Sequence, residues 1–274
     1  MAFTVRIRQH ERPLEVEPGE TILAAALKAE VPYPHGCQAG NCGACKSRLY
    51  HGEVAMSPYS DYALSAAEKA QGLILACRAV PWSDAEVGWL DVEESVVHPQ
   101  RQLSCRVTAL DDATHDIKRV RLAIRSGGPF TFSAGQYARV SFGAETPRDY
   151  SMANMPTDPL IEFHIRAVAG GRSSRYAAER LALGEEVRLE GPFGTSYWRA
   201  RHPGPMLAIA GGSGLAPIKS IVETALAHGM CQPLALYVGV RDERDLYLEE
   251  HFAALAQHHA NLSFVPVLSE PRGR

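Results

Sequence analysis

Four cysteines constrain this chain more than any other feature. Cys37, Cys42 and Cys45 fall in the run His35-Gly36-Cys37-Gln38-Ala39-Gly40-Asn41-Cys42-Gly43-Ala44-Cys45, and Cys77 follows after 31 intervening residues. Cys-x4-Cys-x2-Cys with a distant fourth cysteine is a spacing at which four thiolates hold a [2Fe–2S] cluster. Three ligands so close together force the backbone to wrap the metal tightly, often at dihedrals that side chains resist. Gly36, Gly40 and Gly43 relieve that crowding and let amide N–H groups point at sulfur. Cys77 ends the apolar run Leu73-Ile74-Leu75-Ala76, which reads as a buried strand.

Other uses of cysteine fit less well. A disulfide framework needs an oxidising compartment, and nothing in the sequence suggests export. A zinc site usually pairs short-spaced ligands with a second short-spaced pair, and Cys77 has no such neighbour. A Rieske centre needs two histidines on one iron, and none of the 11 histidines is suitably spaced. Cys105 and Cys231 read as ordinary thiols, small and at least partly buried.

The rest of the chain is of ordinary composition, with 274 residues, 46% hydrophobic and 22% charged, enough for two or three domains. A net charge of −3 argues against a nucleic-acid binder held by a general basic field. Apolar stretches such as Ile22 to Leu27 are far too short to span a bilayer, and the N-terminal FTVRIR is a strand without an apolar leader. These features predict a cytoplasmic protein that does not contact the membrane. Residues 1–98 hold 8 basic and 13 acidic side chains, against 20 and 18 in 99–274. That asymmetry suits separate modules, although fluctuation between two solvated surfaces would also give it.

The first module reads as two strands (Phe3 to Arg8, Pro13 to Glu17), a helix from Thr21 to Glu30, the cysteine loop, and strands near Ser47 to Tyr50 and Leu73 to Cys77. Ser65 with Glu68 three residues later predicts a capped short helix to Ala70. A linker is expected near Glu94 to Pro99. From Gln102 to Arg201 the runs SCRVTAL, IKRVRLAI, QYARVSF, IEFHIRAV and EEVRLEG predict an antiparallel barrel, interrupted by a helix over Ser174 to Ala182. From Pro205 the pattern becomes strand, helix, strand, helix, strand. The strands are Met206 to Ala210, Leu234 to Val238 and Leu262 to Val267, with helices at Ala216 to His228 and Glu243 to His258. Such alternation predicts a parallel α/β sheet.

Three short motifs could touch ligands. Ala210-Gly211-Gly212-Ser213-Gly214-Leu215-Ala216-Pro217 joins a strand to a helix, where a pyrophosphate can approach backbone N–H groups at the positive end of the helix dipole. Alone it is as readily a tight turn. Gly170-Gly171-Arg172-Ser173-Ser174 is a second anion site or simply a turn with Ser174 capping a helix. In Arg148-Asp149-Tyr150-Ser151, Arg suits a phosphate, Tyr a flat ring and Ser a ring nitrogen, although alone the run is an ordinary strand.

Taken in order, these motifs resemble the ferredoxin–NAD(P)H reductase superfamily with a plant-type [2Fe–2S] ferredoxin domain at the N-terminus. The set is the cluster residues, Arg148 to Ser151, Gly170 to Ser174, Gly191 to Gly194, Gly211 to Pro217, then Tyr237-Val238-Gly239-Val240-Arg241 and Asp245-Leu246-Tyr247. The segments THDIKRVRL, YSMANMP, EFHIRAV and GPMLAIAGGSGLAPI are most similar to reductase components of ring-hydroxylating dioxygenases of the naphthalene-dioxygenase type. The resemblance implies a multidomain α+β fold: a β-grasp ferredoxin-like domain over 1–93, a linker over 94–101, an antiparallel β-barrel flavin domain over 102–201, and an incomplete α/β parallel-sheet nucleotide domain over 202–274.

It also implies roles. Cys37, Cys42, Cys45 and Cys77 would ligate the cluster. Arg148 would contact the FAD pyrophosphate, Tyr150 would pack on the isoalloxazine and Ser151 would lie near flavin N5, making Tyr150 and Ser151 the pair nearest the chemistry. His164, Ile165 and Arg166 would line the flavin, with Gly171, Arg172, Ser173 and Ser174 on its phosphates. Gly212, Ser213, Gly214, Leu215, Ala216 and Pro217 would floor the nicotinamide site, while Arg241, Asp245 and Tyr247 would face the adenosine half. Nicotinamide gives a hydride, flavin divides the pair and a one-electron cluster receives it, so no nucleophile or general base is needed. Hydride transfer requires an aligned stack with reacting atoms roughly 3–3.5 Å apart.

Relatives continue with more strands, a Cys-Gly-x-Pro motif and a C-terminal aromatic. This chain stops at Ser269-Glu270-Pro271-Arg272-Gly273-Arg274, so the expectation is a truncated nucleotide domain with an incomplete nicotinamide pocket. The implied activity is electron transfer from NADH through FAD and [2Fe–2S] to a Rieske-type ferredoxin or the oxygenase component. A di-iron monooxygenase or sugar-deoxygenating dehydratase as client, or a non-enzymatic carrier, are the alternatives. Asp242 and Glu243 favour NADH, whereas Arg241 and Arg244 could accept the 2′-phosphate of NADPH; the balance leans to NADH.

Overall fold

The computed structural model describes residues 2–90, 96 and 98–270, in two compact units, Met1–Glu93 and Glu94–Arg274. In the first, β1 (Phe3–Ile7) pairs antiparallel with β2 (Leu14–Val16) and parallel with β7 (Ala85–Trp89). Adding β3 (Lys46–His51) and β5 (Leu73–Leu75) gives a five-stranded sheet of order β2-β1-β7-β3-β5. The alternation of β1 turns Val5 and Ile7 into the core. Helix α1 (Ile22–Lys28) buries Ile22, Leu23, Ala25 and Ala26 against it. Thr21 caps α1 by accepting the Ala24 N–H at 3.2 Å, and the helix stops before Glu30, whose φ is +57°, rather than reaching it as predicted. Helix α2 (Ala66–Ala70) has the capping box that Ser65 and Glu68 predict. The antiparallel pairing of β4 (Val54–Met56) with β6 (Ala79–Pro81), across α2 and β5, was not anticipated. Neither was β7.

The second unit opens with antiparallel strands β8 (Arg101–Asp112), β9 (Ile117–Ser126), β10 (Tyr137–Phe142), β11 (Arg148–Ser151), β12 (Ile161–Arg166) and β13 (Glu186–Phe193). Their order is β11-β10-β13-β8-β9-β12, and a bridge between Met152 and Phe163 brings the two edges together. Val120, Leu122, Val140, Phe142, Phe163, Ile165 and Leu189 fill the interior. Helix α3 (Arg172–Glu179) starts two residues earlier than predicted. Gly171 is its N-cap and makes no side-chain cap bond, so Ser174 does not cap the helix. Instead Ser174 Oγ accepts the Val168 N–H at 3.2 Å and ties the preceding turn.

The nucleotide half has β14 (Met206–Gly211), α4 (Leu215–Ala227), β15 (Leu234–Val240), α5 (Glu249–His258) and β16 (Leu262–Leu268). The strands pair parallel in the order β14-β15-β16. The helix expected over Glu243 to His258 is broken: a 3-10 turn covers Glu243–Asp245, and Leu248 takes φ +58° before α5 begins. Ala208, Ala210, Leu236 and Val238 face the core containing Val222, Leu226 and Phe252. On the opposite sheet face Leu207, Ile209, Tyr237 and Val267 are exposed, and Ile209, Tyr237 and Val265 lie in one register row. Of the linker expected at 94–101, residues 94, 95 and 97 lie outside the described residues, and Arg101 already belongs to β8. The expected terminal loop lies outside them beyond Glu270.

Candidate cofactor sites

The cysteine loop carries its donors where backbone amides can serve sulfur. Cys37 Sγ accepts from the N–H groups of Ala39 at 3.4 Å and Asn41 at 3.2 Å, and Cys42 Sγ accepts from Cys37 N–H at 3.3 Å. Those amides bring the Cys37 thiol down to about 7. Cys45 and Cys77 are buried side by side, and the hydrogen bond between them pushes Cys45 up and brings Cys77 down to about 6. The loop has no room for larger residues. At Gly40 (φ +76°) a Cβ would meet Tyr59 at 2.8 Å and Arg78 at 2.9 Å, and at Gly36 it would lie 3.1 Å from Cys42 Sγ. An all-sulfur donor set, amides aimed at sulfur and a cradle closed to side chains fit an iron–sulfur cluster.

In the second unit, a cleft of about 410 Å³ is lined by Arg148, Asp149, Tyr150, His164, Arg166, Val168, Gly171 to Ser174 and Ser213. It therefore joins three predicted motifs from β11, β12 and the start of α3, together with one residue of the glycine loop. Tyr150 is half-buried and stands edge-on to Phe163, with centroids 6.4 Å apart. Burial raises its phenol, and the nearby Ser173 hydroxyl opposes that. Ser173 Oγ itself is buried and finds no partner of full hydrogen-bond geometry. A Cβ on Gly171 would come within 2.6 Å of Ser174 Oγ. An orphaned hydroxyl, an aromatic wall, the guanidinium groups of Arg148 and Arg172 and the N-terminus of α3 fit a flavin with an anionic diphosphate tail. Ser151 and Ile165 do not line this cleft; Ile165 is fully buried in the barrel.

A second cleft, of about 310 Å³, opens at the carboxyl ends of the parallel strands, where ligands of open α/β sheets bind. Gly211, Gly212, Gly239, Val240, Arg241, Asp245 and Val267 line it, with Asp116, Ile117 and Arg166 from the barrel. Gly212 needs its φ of +51°, and a Cβ there would meet Arg166 Nη1 at 3.0 Å. Leu215 and Ala216 are buried beneath the loop, and Gly214 and Pro217 stand back from this cleft. His115, Asp116 and Asp245 gather beside it, but cations already attend the carboxylates: Arg166 lies 2.7 Å from Asp116 and Arg241 lies 3.6 Å from Asp245. Arg166 is a wall common to both clefts, and neighbouring residues of the glycine loop divide between them, Gly212 lining the second and Ser213 the first.

Behind that wall is a charged core. Strand β12 alternates Ile161, Phe163 and Ile165 into the barrel with Glu162 and His164 on the opposite side, yet both sides are buried. Register sets Glu162 opposite Arg121 and His164 opposite Arg119. Glu162 meets His164 Nε2 at 3.0 Å, Arg119 Nη2 at 3.2 Å and Lys219 Nζ of α4 at 3.9 Å. Arg121 Nε is 3.2 Å away, an ion pair without hydrogen-bond alignment. Burial alone would raise the Glu162 carboxyl, but His164, Lys219 and Arg119 outweigh it and hold it well below the usual carboxylate range. Tyr247 is turned inward onto His164 and does not line the nucleotide cleft. Asp116 and Val168 were missed in the sequence, where nothing distinguishes them from ordinary strand and loop residues, and Asp149 and Gly239 lie inside motifs that gave them no role of their own.

Family models agree with this division of sites. "2Fe-2S iron-sulfur cluster binding domain" matches residues 5–81, "Oxidoreductase FAD-binding domain" matches 104–198 and "Oxidoreductase NAD-binding domain" matches 208–274. The ferredoxin–NAD(P)(+) reductase component of the naphthalene 1,2-dioxygenase/salicylate 5-hydroxylase systems of Ralstonia sp is 44% identical over 95% of this chain and 78% of its own length. That of the Pseudomonas putida naphthalene 1,2-dioxygenase system is 39% identical over 96% and 79%. The chain belongs to the reductase components of oxygenase systems. A solved Amycolatopsis cytochrome P450 reductase, 38% identical, superposes with a TM-score of 0.67 over 99% of this chain and 82% of that one. The reductase is thus an oxidoreductase of [2Fe–2S], FAD and NAD(P)(H), with an oxygenase or ferredoxin as its partner. No helix among its described residues is long and apolar enough to cross a membrane.

Proposed function

We propose that this reductase takes electrons from NADH and delivers them to a ring-hydroxylating oxygenase, either directly or through a Rieske-type ferredoxin. The observation that carries the reading is the shared wall: Arg166 lines both clefts and the Gly212–Ser213 peptide divides them, Gly212 on one side and Ser213 on the other, so a nicotinamide and a flavin ring would meet there. FAD held in the first cleft would supply the exchange between a two-electron hydride donor and a one-electron cluster. The chain's own part is to bind and orient. Tyr150 presents its ring as a wall, Arg148 and Gly171 to Ser174 hold the anionic tail, and Ser151, next along β11, is a positioning group rather than a nucleophile. Gly211 and Gly212 present the part of the loop that would receive the nucleotide, with Ser213 to Pro217 leading into α4 behind it and Arg241 and Asp245 at the far end. Cys37, Cys42, Cys45 and Cys77 hold the irons.

NADH is favoured over NADPH because the cations nearest the far end of the cleft are engaged. Arg241 Nε lies 3.6 Å from Asp245 and Arg244 Nε 3.8 Å from Asp242, and the carboxylates suit a free 2′-hydroxyl. The domains run 1–93, 102–201 and 202–274, joined by a linker over 94–101, and the boundary after 93 coincides with that of the two compact units. Six cysteines without a disulfide, four of them assigned to the irons, suit the reducing cytoplasm. The test is a visible spectrum of the purified 274-residue chain followed by anaerobic NADH. Flavin and iron–sulfur bands that bleach promptly support the reading. Bands that bleach with dithionite but not with NADH overturn the nicotinamide step.

A further inference from the structure

The buried face of β12 leads to a residue whose part in the reaction is not set by the cofactor clefts. The His164 ring is fully buried, with Nε2 3.0 Å from a Glu162 carboxylate oxygen and Nδ1 2.9 Å from the Tyr247 hydroxyl. A carboxylate only accepts, so Nε2 carries the hydrogen. Burial disfavours a second ring proton, although Glu162 opposes this. Nδ1 is therefore an acceptor, and the Tyr247 O–H donates to it. The same hydroxyl stands 3.4 Å from the carbonyl oxygen of Gly212. It has one hydrogen and two acceptors within reach, one on the flavin-binding strand and the other on the nucleotide loop.

Three side-chain bonds fasten the nucleotide half to the barrel at this seam. Lys219 Nζ reaches the Ala153 carbonyl at 3.2 Å, Ser220 Oγ reaches the Asn154 carbonyl at 2.6 Å, and Tyr247 reaches His164. The first two hold the body of α4. Only Tyr247 also touches the loop, at the Gly212 peptide that Arg166 crowds from the other side and that separates the two clefts.

We propose that Tyr247 is a positioning residue for the nucleotide loop, its hydroxyl shared between His164 and the Gly212 carbonyl so that it sets how high that peptide stands between the clefts. Binding of a nicotinamide dinucleotide draws the Gly212 carbonyl in as the stronger acceptor and weakens the O–H···Nδ1 bond. This rests on the nucleotide reading above.

The experiment uses the cofactor-loaded full chain and NAD+ as probe. Calorimetry gives the NAD+ Kd for the wild type, Tyr247→Phe and Ser220→Ala, and 15N-histidine NMR follows His164 Nδ1. The expected result is a Kd about two- to fivefold weaker in Y247F: the variant loses the bond to His164 without NAD+ and the bond to Gly212 with it, so one net buried hydrogen bond is the upper limit of the change. S220A, which loses a seam bond away from the loop, melts lower but keeps its Kd. In the wild type NAD+ moves the Nδ1 signal toward that of a free acceptor, a readout that needs no variant should Y247F not fold. An unchanged Kd in Y247F, equal weakening in both variants, or an Nδ1 signal indifferent to bound NAD+ overturns the proposal alone. Absence of NAD+ binding to the wild type overturns the nucleotide reading and this proposal with it.

Discussion

Replacing Glu162 by glutamine tests the charged core most directly. The substitution keeps the volume and removes the one anion that His164, Arg119, Arg121 and Lys219 surround. Removing one partner of a buried ion pair typically costs about 3–5 kcal/mol, because the remaining charge is left uncompensated in low dielectric. Two features set the expectation at the lower end. The Arg119 and Arg121 side chains are 21% and 35% exposed and regain water, and Lys219 keeps Glu223 at 2.8 Å. A loss of about 3 kcal/mol in a domain of this size lowers Tm by roughly 6–12 °C. Calorimetry of the unit carrying the barrel gives the number, and the acid limb gives the cause. The Glu162 carboxyl is held below its ordinary value in the folded state, so its contribution is present above the unfolded pKa, near 4.3, and disappears as pH falls below it. The wild type should therefore lose Tm more steeply than E162Q as pH drops below about 4, the two curves converging. A Tm change under about 2 °C with parallel acid limbs would refute the argument.

Other outcomes follow from the same geometry. Cys77→Ser should abolish the iron–sulfur bands while leaving flavin absorbance, checked by the visible spectrum and iron analysis. Gly40→Ala meets both a φ of +76° and contacts at 2.8 and 2.9 Å; iron content after purification should fall by more than half, with the second unit melting as before. Ser65→Ala removes the capping box of α2 and should destabilise the first unit by about 1 kcal/mol in denaturant titration. Gly171→Val should lower FAD affinity at least tenfold in fluorescence titration, since its Cβ would sit 2.6 Å from Ser174 Oγ.

Much of the site was legible because its residues are local in sequence. Three of the four cysteines, the glycine loop and the Arg148–Ser151 run each carry their chemistry within a dozen positions, and the strands that position them alternate as period-two patterns should. What escaped was tertiary. The run from Ile161 to Arg166 reads only as a barrel strand, whereas Glu162 and His164 face a second layer, with Lys219 of α4 and Tyr247, that the nucleotide half supplies. Tyr247 and Asp245 look alike as parts of one motif, yet one turns into the seam and the other toward the cleft. The break at Leu248 left no trace either, because Glu243 to His258 has helical composition throughout and the left-handed turn belongs to a leucine.

The uncovered face of the parallel sheet makes the melting temperature of the second unit a property of the solution as well as of the chain. Both crossovers run the same way along β14-β15-β16, so α4 and α5 share one side and Leu207, Ile209 and Tyr237 meet solvent on the other. Any solute that wets this row binds the folded sheet and has no equivalent site on the unfolded chain, so it shifts the folding equilibrium by RT ln(1 + [L]/Kd). A mild nonionic detergent below its micellar range should therefore raise the transition. The protein's own concentration enters through the same linkage, since one molecule's bare row is an apolar solute to another's.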